Sequence, residues 1–123
     1  MKNLHLTLSG IIVVSIAFAY GANPSVILPY FFDFEVENLE LKNIFRAIMG
    51  LYLAFGGFWL YATKNESYWK MATISNILFM GGLATGRFIS LMLDGWSDQY
   101  GIGMMLEFLM LFWGIYNLKK YTT

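Results

Sequence analysis

Apolar residues fall in four long blocks, at about residues 4–22, 42–63, 68–93 and 102–119, with short polar stretches between them. The first block contains no acid, lysine or arginine, and His5 stands at its edge. A helix over residues 4–22 would be about 28 Å long, close to the hydrocarbon thickness of a bilayer. Backbone groups in hydrocarbon have no water to bond, so blocks of this length predict helices and not strands. The pattern predicts an all-α fold, an integral membrane four-helix up-and-down bundle forming one transmembrane domain over residues 1–123. The first block also resembles a secretory signal, with Lys2 before it and Ala17-Phe18-Ala19 as a small-residue cleavage site. The expectation here is a retained helix.

The longest connection, residues 23–41, is expected to lie on the outer side. Within it Phe32-Asp33-Phe34-Glu35-Val36-Glu37 alternates apolar and acidic residues. Such a period predicts an extended segment that exposes the acids and buries Phe32, Phe34 and Val36. Asn38 suits the N-cap of the second long helix, with Glu40 in its first turn.

Composition sharpens the class. Hydrophobic residues make up 58% and charged residues 13%, with aromatics at 19%. The charged share is about half that of a soluble domain. Net charge is zero, so no basic field exists to hold nucleic acid. Cysteine is absent, which removes disulfides and thiol chemistry. Lys2, Lys64, Lys70, Lys119 and Lys120 share one side with Glu66 as the lone acid there. The opposite side holds Lys42, Arg46 and Arg87 with seven acids: Asp33, Glu35, Glu37, Glu40, Asp94, Asp98 and Glu107. The positive-inside rule then predicts cytoplasmic N and C termini and a multi-pass protein of a bacterial inner membrane.

Small residues mark expected packing surfaces: Ala47, Gly50, Ala54 and Gly57 in the second span, Gly82 and Gly86 in the third, Gly103 and Gly114 in the fourth. Two charges lie inside spans. Arg87 comes roughly 9 Å before the end of the third span, and Glu107 roughly 7 Å into the fourth. Antiparallel neighbours joined by a short loop place both at similar depth. An isolated charge there costs about 2.5–3.5 kcal/mol on insertion scales, so pairing is expected. Arg46 approaches the same level. Ser90 and Asp94 follow Arg87 at helical spacing, and Asn76 precedes it by eleven residues, on nearly the same azimuth. The candidate site is therefore a polar cluster of Arg46, Arg87, Ser90, Asp94 and Glu107. It reads either as an ion-pair network fixing helix register or as a binding pocket. His5 is the single histidine and is expected at the interface. No metal-ligand spacing, phosphate loop or dinucleotide fingerprint appears, and no cofactor is expected.

Two segments carry a family resemblance. Arg46-Ala47-Ile48-Met49-Gly50-Leu51-Tyr52-Leu53-Ala54-Phe55-Gly56 fits R-x-x-x-G-x-Y-x-x-x-G, and Gly86-Arg87-Phe88-Ile89-Ser90-Leu91-Met92-Leu93-Asp94-Gly95 fits G-R-x-x-S-x-x-x-D-G, with Glu107 following. The sequence resembles the small four-span bacterial membrane proteins catalogued as domain of unknown function 4345. The resemblance implies the four-span fold, singles out Arg46, Arg87, Asp94 and Glu107, and implies no activity. The expected function is non-catalytic binding or scaffolding. The partners are membrane lipids, a hydrophobic or amphipathic small ligand, and a second copy or another membrane protein, with no nucleic acid. The alternatives are an isomerase-like membrane enzyme using Glu107 or Asp94 as acid or base, or an accessory subunit of a larger membrane complex or transporter.

Overall fold

A computed structural model describes residues 1–122. The order is α1 (Lys2–Gly21), α2 (Pro24–Phe31), α3 (Leu39–Ala62), a 3-10 turn (Glu66–Tyr68), α4 (Trp69–Asp94) and α5 (Asp98–Tyr121). No strand occurs among the described residues. The long helices α1, α3, α4 and α5 are each long and apolar enough to cross a membrane. Their outward faces carry large apolar residues such as Leu51, Leu78, Ile89 and Phe112. Apolar side chains turned outward over whole helices match a hydrocarbon surrounding rather than water.

The helix boundaries have local causes. Asn38 caps α3, its Oδ1 accepting from the backbone N–H of Glu40 at 2.8 Å and of Leu41 at 3.2 Å. Gly95 ends α4 at φ 109°, a conformation that side chains with a Cβ rarely adopt. The connection over residues 23–41 is not all loop. Pro24 occupies the first turn of α2, where its missing N–H would have had no helical partner. Phe32 is extended behind it, and Val36 is fully buried with the flanking acids exposed, in keeping with the alternating pattern. Phe34 departs from that pattern. It lies at the surface, stacked between Phe32 and Phe45.

The long helices pack as two antiparallel hairpins. The α1–α3 and α4–α5 contacts are by far the most extensive in the molecule. Close approach of α1 and α3 depends on Gly10 and Gly56. A Cβ on Gly10 would lie 2.6 Å from Leu60 Cγ, and one on Gly56 would lie 2.8 Å from Val14 Cγ2. The expected small-residue stripe of α3 lies elsewhere. Ala47, Gly50, Ala54 and Gly57 are all exposed, and α3 instead buries Tyr52, Gly56, Trp59 and Ala62. Gly82 and Gly86 of α4 likewise face open space.

Polar bonds join the hairpins at the end of the bundle that carries both chain termini. Lys2 pairs with Glu66, and its ammonium lies 4.8 Å from the Trp69 ring centroid. Trp59 Nε1 donates to Ser75 Oγ at 3.0 Å, and Asn117 Nδ2 donates to the Lys2 carbonyl at 3.4 Å. At the opposite end, where α2 lies, the hairpins enclose a cavity.

Candidate functional site

The cavity measures about 360 Å³ and runs between α1, α4 and α5 beneath α2. Its walls are mostly apolar, with Ile12, Ile16, Leu28, Phe31 and Leu106 among them. Polar groups gather at the α2 end: Arg87, Glu107, Gln99 and the tyrosines Tyr20, Tyr52 and Tyr100. Ser9, Met80 and Met110 lie toward the other end. A second cavity of about 410 Å³ opens between α3 and α4, and Arg87, Tyr20, Tyr52 and Tyr100 line both. The arginine and tyrosines thus form the partition between two spaces.

The centre of that partition is an ion pair. Arg87 Nε donates to Glu107 Oε1 at 2.8 Å. Their side chains are 20% and 13% exposed, so little water screens the pair. Gly103, one turn before Glu107, faces Arg87. A Cβ there would lie 3.9 Å from Arg87 Nε. The guanidinium carbon stands 5.2 Å from the Tyr100 ring centroid, a cation–π distance. Tyr20 lines both cavities beside the same guanidinium. One N–H of Arg87 is committed to Glu107, which leaves its other donors for a guest.

The remaining members of the expected cluster lie elsewhere. Arg46 is exposed, and its Nη1 donates to the carbonyls of Gly21 and Ala22, at 2.8 Å each. Those are unfilled acceptors at the end of α1, and a cation there also opposes the negative end of the helix dipole. Arg46 therefore fastens α3 to α1 and does not join Arg87. Asp94 accepts from Ser90 Oγ at 3.0 Å on the exposed face of α4, apart from the Arg87–Glu107 pair. Ser90 does line the second cavity.

His5 corrects the interfacial expectation. It is fully buried in the bundle, its Nε2 is 2.9 Å from the Met110 carbonyl, and its ring meets Trp113 edge-on at 5.2 Å. Gly114 makes the room, since a Cβ there would sit 3.1 Å from His5 Cε1. The sequence held a signal for this. His5 and Ser9 are one turn apart on the face that buries Leu6, Val13 and Ala17.

Residues 1–118 match a family model described as Domain of unknown function (DUF4345). No curated protein and no solved structure matches the chain.

Proposed function

The chain belongs to this family, and we propose that it is an integral membrane protein that binds a small amphipathic molecule with a neutral, carbonyl-bearing head. The head sits at Arg87 and the apolar part fills the cavity. The cavity with its single polar end carries this reading, and its size lies in the range of small-molecule sites, about 300–1,000 Å³. Arg87 and Glu107 neutralise each other, so a guest beside them needs acceptors more than charge. Arg87 and the three tyrosines that line this end carry donor groups. An anionic head would compete with Glu107 for the guanidinium. Quinone-like rings with an alkyl tail have the matching chemistry.

The asymmetry of lysines supports both termini on the cytoplasmic side of a bacterial inner membrane. The polar end of the cavity would then lie toward the outer leaflet. Binding is favoured over acid–base catalysis because Glu107 is held by Arg87.

The test is thermal unfolding in mild detergent, followed by circular dichroism, with decyl-benzoquinone and with decanoate. A ligand that binds the native state raises the midpoint, and by more as its free concentration climbs above the dissociation constant. The expected result is a rise with the quinone in wild type, little rise with decanoate, and no rise with either in Arg87→Ala. Equal rises in wild type and Arg87→Ala, or a larger rise with decanoate, would contradict the proposal.

A further inference from the structure

One helical turn below the cavity floor lies a layer of buried side chains that carry unpaired polar atoms. His5 precedes Ser9 by four residues on α1, and Asn76 precedes Met80 by four on α4; Ser9 and Met80 line the floor. Gly114 fixes the level, because a Cβ on it would meet both His5 and Ile77, the neighbour of Asn76. His5, Thr73 and Asn76 are each 0–1% exposed. Among their polar atoms, His5 Nδ1, Thr73 Oγ1 and both amide atoms of Asn76 make no hydrogen bond. Neighbouring polar groups are already engaged: Ser9 Oγ donates to Met110 Sδ, and Asn117 bonds the Lys2 carbonyl.

The chemistry of the orphans is specific. A carbonyl oxygen only accepts, so the bond to Met110 places the proton of the His5 ring on Nε2. In the neutral ring Nδ1 is then a bare acceptor. Asn76 offers one donor and one acceptor group, and Thr73 offers a hydroxyl. Leaving such an atom unpaired in a dry interior is costly, because its lost bond to water is not replaced. A guest that both donates and accepts, and is small enough for a packed layer, meets all of them.

We propose that His5, Thr73 and Asn76 form an internal water-binding site beneath the cavity, with His5 Nδ1 accepting from the bound water. Trp69 Nε1, also buried and without a partner, continues the row one turn toward the start of α4. The row Trp69, Thr73, Asn76 follows helical spacing along the buried face of α4 and gives water a polar track from the terminal end of the bundle to the cavity floor. This site is independent of what occupies the cavity.

The chain has a single histidine, so ¹⁵N-histidine labelling reports on His5 without assignment. The protein is placed in lipid bilayers and its ring nitrogens are read by solid-state NMR with magnetisation transferred from water. The expected spectrum has a protonated Nε2, an unprotonated Nδ1, and strong transfer from water. Asn76→Leu and Thr73→Val should each keep Nε2 protonated and cut the transfer several-fold. Thr73→Val keeps the test open if Asn76→Leu does not fold. A ring without water transfer in wild type, a proton on Nδ1, or transfer unchanged in the folded variants would overturn the proposal.

Discussion

Arg87 and Glu107 hold each other across the α4–α5 hairpin, Nε to Oε1 at 2.8 Å, at the more polar end of a mostly apolar cavity. The pair gives the site donors without net charge. Removing one partner strands the other in a poorly solvated position, whereas replacing both removes the charge altogether. Arg87→Ala and Glu107→Ala should each destabilise the bundle by about 1–3 kcal/mol, and the double substitution should cost less than the two single losses added together. A double-mutant cycle from reversible unfolding in mixed micelles checks this. Additive losses would mean that the pair contributes no coupling.

Arg46 serves a different junction. Its Nη1 holds the last carbonyls of α1 and reaches no ligand-facing surface of the cavity. Arg46→Gln should loosen the α1–α3 hairpin by about 1 kcal/mol, the usual worth of such a bond, while quinone binding in wild type and variant stays within twofold. Asp94→Asn should leave both quantities unchanged, since Asp94 accepts from Ser90 on an exposed face apart from both junctions. Unfolding and ligand titration of the same samples separate the two effects.

The glycines divide into two groups by what surrounds them. Gly10→Val and Gly56→Val would drive a side chain into the facing helix and should cost about 1–3 kcal/mol. Gly50→Ala and Gly57→Ala meet nothing within 4 Å and remove helix-interior glycine, which should stabilise the monomeric bundle by about 0.5–1 kcal/mol. Thermal midpoints in detergent order the four variants.

Asn38 alone caps the start of α3 through its side chain. Asn38→Ala should cost about 1 kcal/mol, and Asn38→Asp should restore most of it, because a carboxylate accepts the same N–H groups and suits the positive helix end. Hydrogen exchange at Glu40 and Leu41 should accelerate in the alanine variant and recover in the aspartate one.

The four long helices were legible because hydrocarbon forces backbone self-satisfaction over a span of fixed length. The Arg87–Glu107 pair was legible because two charges at matched depth on consecutive antiparallel spans have few other solutions. The place of Arg46 was not, since its acceptors are backbone carbonyls at the end of α1 that come within reach only once α1 packs on α3. Small residues misled on α3. Ala47, Gly50, Ala54 and Gly57 have the right spacing, yet the adjoining face with Tyr52, Gly56 and Trp59 is the one that packs. Spacing names a face but does not say which of two candidate faces turns inward. His5 sat at the end of its block, where position alone suggests an interface, but the turn it shares with Leu6 and Ser9 points to the centre.

If the Arg87–Glu107 end of the cavity binds a small amphipathic molecule, that molecule should leave the membrane with the protein. Native mass spectrometry from a mild detergent, on protein extracted directly from its membrane, reads this out. Wild type is compared with the Arg87→Ala, Glu107→Gln double variant, both shown to be helical beforehand. The expected result is an adduct of small-molecule mass on wild type that is absent from the variant and that fragments to a neutral, carbonyl-bearing amphiphile. Identical bare ions from the two proteins would contradict it and leave the pair as a device that sets helix register.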